Sequence, residues 1–287
     1  MNHNKIIYGF FLILFVFFTG CKKEEVINTK QPGTVEIEFD NVAIINNVPI
    51  QLTMATPGST EYPYSNALGQ KFNINLLRYF ISKIELTGPN GESFSDPLSA
   101  AAADTKGYYL VDESDVNSQF VKLKDVPAGT YTKLTFTLGV DVDGVQEGAV
   151  GGILDPATNK MFWNWNSGYI AVKMEGQSDA SNGGVSGTET LEGGSEHGIA
   201  YHVGGWKNID NSAFIYNNKR MTFEFDVNLN VEKLEQPHIH MYFDVLKLFT
   251  GINDIDFSGN HNVHKPVDGQ PVAENMEHAF RYDHIHQ

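Results

Sequence analysis

Histidine is the residue type whose distribution in this sequence points most strongly to chemistry. Nine of the ten histidines fall within residues 197–286, and two pairs have His-x-His spacing, His238 with His240 and His284 with His286. Residues two apart on a strand share a face at about 6.6 Å, so two imidazoles can reach one ion. The clustering therefore predicts a metal site, although imidazole suits copper, zinc, nickel and iron alike.

The first His-x-His pair is expected to face away from the core. His238 and His240 alternate with Ile239 and Met241, and alternate side chains of a strand point to opposite faces. The second pair lies close to the C-terminus, where a chain frays unless the tail docks.

The remaining histidines differ in how well their surroundings fit ligation. His197 and His202 are five positions apart, so an extended strand would turn them to opposite sides. His261 and His264 lie in a polar loop and are open to ligation, whereas His278 falls on a predicted helix and is expected at the surface.

All three tryptophans lie in two short stretches, residues 161–170 and 197–206. Trp163 and Trp165 are two apart and would share a face of an extended segment, with polar residues between and after them. Large aromatics fill a core or face a ligand. A tryptophan pair packed beneath a turn and a pair facing a ligand both fit this pattern.

These stretches carry a family resemblance. The run MFWNWNSGY at residues 161–169, followed by KMEG at 173–176 and YHVG at 201–204, resembles the signature of the MbnP-like domain family. The W-x-W-x-x-G-Y block is its most specific part, and the likeness extends over roughly the whole mature chain. It implies an exported protein that binds copper for acquisition or storage. It also implies that copper sits between histidines and a tryptophan oxidised to kynurenine by a partner dihaem, peroxidase-like protein.

The resemblance favours His202 as a copper ligand and implies that Trp163 or Trp165 is oxidised, and the position of Trp163 directly after an apolar pair favours Trp163. Ligand chemistry predicts that His202 binds copper together with at least one of His238, His240 and His264. One departure stands out, because the wider group pairs the oxidised tryptophan with a nearby histidine and residues 155–162 contain none. Either a distant histidine such as His238 or His264 substitutes, or this site has been lost.

The N-terminus predicts export. Lys5 precedes a short apolar run that ends in Phe18-Thr-Gly-Cys21, which is typical of a signal peptide over residues 1–20. Gly20-Cys21 resembles a bacterial lipobox, so a lipidated Cys21 is expected to begin the mature protein, with a tether over residues 21–33. The protein is thus expected to be an outer-membrane lipoprotein, either periplasmic or surface-exposed.

Cysteine content and charge narrow the ligands and partners. Cys21 is the only cysteine, so the mature domain has neither disulfides nor thiolate ligands to offer. The formal net charge is −15, and removal of residues 1–20 takes away one lysine to leave −16. This acidity argues against nucleic acid, whose phosphates select positive surfaces.

The strand pattern predicts an all-β fold, an antiparallel β-sandwich in one domain over residues 34–287. Val35, Ile37 and Phe39 alternate with acidic residues, as in a half-buried strand. Many short strands and frequent Gly/Asn turns favour a sandwich.

Helix is expected only in short pieces. Residues 99–104, with four alanines, could form a single helical turn, and Pro271 could open a short C-terminal helix. Residues 142–159 and 176–196 are rich in glycine and are expected to be long loops.

Two further interpretations remain beside copper binding. A glycan-binding surface lipoprotein would use Trp163, Trp165 and Tyr169 as a stacking platform, with Asn164 and Asn166 bonding hydroxyls, but would leave the histidines without a role. A purely structural or adhesive domain would treat both features as packing. Catalysis is not expected, since no G-x-S-x-G motif is present.

Overall fold

Two β-sheets pack face to face in the computed structural model, which describes residues 31–142, 144, 151–164, 167–182, 197–206 and 214–287. Cys21 and Trp165 lie outside these residues, as do the predicted signal peptide and part of both glycine-rich segments. None of the helices in the described ranges has the length and apolar character needed to cross a bilayer.

The small sheet has five strands, in the order β15-β13-β1-β2 with β7 also paired to β1. These strands are β1 (Gly33–Ile45), β2 (Val48–Gln51), β7 (Phe120–Val126), β13 (His238–Asp244) and β15 (Phe280–His286). The β1–β13 pair is parallel, and the other pairs are antiparallel. The C-terminal residues therefore form a strand docked on β13.

The large sheet has ten strands, in the order β12-β8-β4-β10-β11-β14. Those strands are β4 (Lys71–Thr87), β8 (Gly129–Leu138), β10 (Gly168–Ser178), β11 (Gly198–Gly204), β12 (Lys219–Val231) and β14 (Asn262–Val263). Four shorter strands flank β4 and β10, namely β3 (Tyr64–Ser65), β5 (Ser93–Ser95), β6 (Tyr108–Asp112) and β9 (Phe162–Asn164).

The main core lies between the sheets because their strands alternate apolar and polar residues. Val35, Ile37 and Phe39 of β1 are all fully buried, as the period of two requires. Phe39 meets Phe136 of β8 edge-to-face at 5.4 Å. The predicted β-sandwich is confirmed, and its sheets are mixed because β1–β13 and β11–β14 run parallel.

A second apolar cluster lies apart from the main core and is here called the outer cluster. Its buried members are Phe80, Ala100, Tyr108, Val140, Leu154, Met161, Tyr169 and Ile170. Trp163 and Trp206 pack against it. The segment that contains β9 is thereby held against β10.

The predicted C-terminal helix is confirmed as α2 (Gln270–Met276), with Pro271 in its first turn. The helical turn expected at residues 99–104 is wrong, because Ser99 pairs with Lys106 in a β-bridge and a turn connects them. The loop expected at residues 142–159 instead contains a 3-10 helix and α1 (Pro156–Asn159). Asp155 caps α1 by accepting from the Ala157 N–H.

Candidate metal centre

The four histidines implied as copper ligands are divided between the two sheets. His202 lies on β11 and His264 directly follows β14, both in the large sheet. His238 and His240 lie on β13 of the small sheet. The main core separates the two pairs, so a single site cannot use all four.

Strand register brings His202 and His264 together. In the parallel β11–β14 pair, Tyr201 aligns with Val263, so the residue that follows each of them lies side by side. The His202 and His264 ring centroids are 4.2 Å apart. His202 itself is only 6% exposed.

Two charged residues of β10 complete this group, which we call the His202 cluster: Lys173, Glu175, His202 and His264. Lys173 aligns with His202 across β10–β11. Nε2 of His202 lies 2.9 Å from Oε1 of Glu175, and Nζ of Lys173 lies 3.7 Å from the same oxygen. The Lys173 and Glu175 side chains are 5% and 0% exposed, so both charges are buried and compensate one another.

Glu175 fixes which ring nitrogen of His202 donates a hydrogen bond. A carboxylate oxygen can only accept, so the Nε2–H donates and Nδ1 of a neutral His202 keeps its lone pair. Metal-ligating histidines commonly donate their other ring N–H to a carboxylate in this way. Nothing in the sequence near Glu175 marks it as a site residue except its spacing two residues from Lys173, which places both side chains on one face of a strand.

His264 is neutral at pH 7. The pKa of His264 is lowered to about 4, chiefly by burial and also by His202 and Lys173, while Glu175 opposes the shift. Among the described residues, the His264 ring makes no hydrogen bond. A neutral imidazole keeps a lone pair that can bind a metal.

Trp163 lies on the chain segment beside this cluster. Gly205 has φ of +80°, and a Cβ there would lie 2.9 Å from Cζ3 of Trp163 and 3.1 Å from Cγ of Pro266. Trp163 and Pro266 therefore both lie against Gly205. Pro266 is two residues beyond His264, and Gly205 is three residues beyond His202. Nε1 of Trp163 is buried and has no hydrogen-bond partner within the described ranges.

The glycan-binding interpretation is wrong about Tyr169, one of the three aromatic residues of its proposed stacking platform. Tyr169 is fully buried, its hydroxyl donates to the Leu154 carbonyl at 2.6 Å, and its ring meets Phe80 edge-to-face at 5.6 Å. A ring with no exposed face cannot stack on a sugar.

Three other histidines lie outside the His202 cluster. His197 precedes β11 with φ of +65°, and its Nδ1 bonds the Ser181 carbonyl at 2.9 Å. The His261 carbonyl accepts from the Ala200 N–H at 2.8 Å, which anchors β14 to β11. His278 is exposed after α2, as expected.

Four histidines line up on the outer face of the small sheet, where they form what we call the histidine ladder: His238, His240, His284 and His286. His238 aligns with His286, and His240 with His284, across the β13–β15 pair. The ring centroids of these pairs are 6.0 and 4.9 Å apart. The expectation that His238 and His240 face away from the core is confirmed, since Ile239 and Met241 are fully buried.

A sequence model of the MbnP family matches residues 32–266. The chain belongs to the MbnP family. No curated protein matches it. A similar solved structure is MbnP from Methylosinus trichosporium, with 16% identity and a TM-score of 0.48 over 76% of this chain and 78% of that chain.

The MbnP match treats the two histidine groups differently. It contains every member of the His202 cluster, together with Trp163. It ends before β15, so the half of the histidine ladder formed by His284 and His286 lies beyond the matched segment.

Proposed function

We propose that this protein is an exported, copper-binding lipoprotein that takes up or stores copper outside the cytoplasm. The observation that carries the proposal is the pairing of His202 and His264 beside a buried carboxylate, in a chain of the MbnP family. Copper is bound here as cargo. The role is binding, and no catalytic step is assigned to the protein.

The donor set supports copper. Cys21 is the only cysteine, so the domain must hold a transition metal through imidazole, carboxylate or modified side chains. His202 and His264 supply two imidazoles, with Nδ1 of His202 left as a donor by the bond to Glu175.

Local charge favours a monovalent ion at this cluster. The positive charge of Lys173 and the negative charge of Glu175 cancel, and both histidines act as neutral ligands. An added Cu(I) leaves one uncompensated buried charge, whereas Zn(II) leaves two, and isolated buried charge is costly. A preference for Cu(I) over Zn(II) thus has a physical basis beside the family relationship.

Oxidation of Trp163 to kynurenine by a dihaem, peroxidase-like partner is part of the proposal. Two equivalents of peroxide break the C2–C3 bond of the indole, each giving one oxygen atom and leaving as water. One further water hydrolyses the resulting N-formyl group, which releases the C2 carbon as formate and leaves a carbonyl and an aromatic amine. Trp163 supports this assignment because its buried Nε1 has no hydrogen-bond partner in the described part of the chain and because it packs beside Pro266. The chain has no C-x-x-C-H haem-attachment motif, so the oxidant comes from the partner.

A competitive Cu(I) titration tests the copper site. The His202→Ala and His264→Ala variants should each bind Cu(I) at least about 10-fold more weakly. Loss of a residue that only hydrogen-bonds to a metal ligand already weakens binding by this much, so loss of a ligand should cost at least as much. The matched control is His278→Ala, which removes an exposed imidazole and should bind as the parent does. Unchanged affinity in the folded double variant His202→Ala/His264→Ala would contradict the proposal.

Mass measurements test the modification and the anchor. In protein from copper-limited native cells that contain such a partner, the peptide with Trp163 should gain one oxygen and lose one carbon. Protein made without the partner should keep both Trp163 and Trp165 intact. Cys21 should carry two or three acyl chains in the membrane fraction, and Cys21→Ala should release the protein or stall its processing. Intact tryptophans would remove the kynurenine step, and an unlipidated N-terminus elsewhere would remove the anchor.

A further inference from the structure

The histidine ladder contains a group of donors that no part of the copper proposal uses. Nδ1 of His240 and Nδ1 of His284 lie 3.1 and 2.7 Å from the same oxygen, Oδ2 of Asp283. All three ligand atoms lie within 4.8 Å of one another. His240 belongs to β13, and the other two belong to β15, so the group bridges two strands.

The distances suit a small metal ion. Two donors bound tetrahedrally at 2.0–2.2 Å stand about 3.3 Å apart. The nitrogens of His240 and His284 therefore need to move by about 0.2 and 0.6 Å from Oδ2 of Asp283 to reach that separation.

His286 lies against the other ring nitrogen of His284, on the side of the ring away from Asp283. Its Nε2 lies 2.7 Å from Nε2 of His284, and the two rings are edge-to-face at 4.4 Å. Two imidazole nitrogens that face each other so closely must share a proton or a cation. The His284 side chain is 44% exposed, so an ion can enter without unfolding.

Further carboxylates surround this group. Oδ2 of Asp40 lies 3.4 Å from Nε2 of His240, and Oε2 of Glu38 lies 3.9 Å from the same nitrogen and 3.1 Å from Nε2 of His238. The neighbouring β7 carries two cations, Lys122, which pairs with Glu36, and Lys124. The surroundings are thus net negative, in contrast to the balanced Lys173–Glu175 pair of the His202 cluster.

We propose that His240, Asp283 and His284 form a second metal site selective for a divalent transition ion of the zinc class, with the fourth position open to water. Mixed imidazole and carboxylate donors suit such an ion, and the negative surroundings favour a double positive charge. The ion joins β13 to β15 and so fastens the C-terminal strand. The site is separate from the proposed copper site and lies on the opposite sheet.

Zn(II) is the probe for this site, added to the full mature protein in competition with a chelator of known affinity. His284→Ala and Asp283→Asn should each weaken Zn(II) binding by at least about 10-fold. His278→Ala serves as the matched control and should retain the parent affinity. The double variant His202→Ala/His264→Ala should also retain it, which separates this test from that of the copper site.

Hydrogen exchange supplies a second readout, which is measured first on the parent protein. Zn(II) should slow amide exchange in β15 of the parent protein and raise its melting temperature, because an ion bound only by the folded state stabilises it. In His284→Ala, which removes an exposed side chain, neither effect should appear. Parent-like Zn(II) affinity in both His284→Ala and Asp283→Asn would overturn the proposal. So would a result in which His202→Ala/His264→Ala loses Zn(II) binding while the two β15 variants keep it.

Discussion

Glu175 is the residue on which the buried charges of the His202 cluster depend. It accepts from His202 and faces Lys173, and its own side chain has no exposed surface. The family resemblance pointed to His202, but nothing beside Glu175 in the sequence, apart from its spacing from Lys173, shows that its carboxylate is buried rather than solvated. Its role depends on the alignment of β10 with β11, which only the folded chain provides.

Replacement of this carboxylate tests the assignment without any metal. Glu175→Gln keeps the side-chain volume but leaves the ammonium of Lys173 uncompensated, so the free energy of unfolding should fall by about 3 kcal/mol or more. Urea unfolding of the metal-free protein measures this change.

The matched control is Glu224→Gln, which removes the carboxylate of an exposed pair with Lys133. Its stability should equal that of the parent, since exposed ion pairs contribute little. Equal stability of both variants and the parent would show that the Lys173–Glu175 pair is not buried as described.

At the scale of elements, periodicity predicted strands better than it predicted their partners. The alternation in β1 and the helix that opens near Pro271 were both visible in the sequence. The parallel pairing of β1 with β13 was not, because nothing local to either strand encodes a partner two hundred positions away.

The C-terminal pair of histidines shows the same limit. Position alone favoured fraying, yet β15 is docked, since its first residue Phe280 stacks on Phe243 at 4.6 Å and is 5% exposed. The sequence alone does not show whether this tail docks. Because it does, two more imidazoles lie opposite His238 and His240.

One buried hydrogen bond connects the sheets and can be tested by itself. The Tyr79 hydroxyl of β4 donates to Oδ1 of Asn41 on β1 at 2.8 Å, and Nδ2 of Asn41 donates to Glu113. Tyr79→Phe leaves the Asn41 oxygen without this donor in the core, so the free energy of unfolding should fall by about 1–3 kcal/mol. Thermal or urea unfolding measures the loss.

Tyr282→Phe is the control for that variant. Its hydroxyl donates at the same 2.8 Å distance, but to the exposed carboxylate of Asp226. Water replaces such a partner, so the change in stability should stay within about 0.5 kcal/mol. A loss in Tyr282→Phe as large as in Tyr79→Phe would show that burial is not the cause.

At the scale of the whole molecule, the two histidine groups occupy the outer faces of opposite sheets in unlike electrostatic surroundings. The His202 cluster contains a buried lysine, whereas the histidine ladder is surrounded by carboxylates and shares the overall acidity of a chain with net charge −15. Composition predicted a metal-binding domain but not two separate sites, because a count of histidines does not record which sheet each one joins.

The parallel β1–β13 pair also sets the order of events when the chain folds. Ile37 pairs with Ile239, 202 positions later, whereas Gly176 pairs with Ile199 only 23 positions later. Closing the longer loop costs about 2 kcal/mol more in chain entropy, and such distant contacts form late. In pulse-labelled refolding, the amides shared by β10 and β11 should therefore gain protection before those shared by β1 and β13. In a chain that emerges N-terminus first, the edge of β1 that pairs with β13 must stay unpaired until nearly all of the remaining sequence has followed.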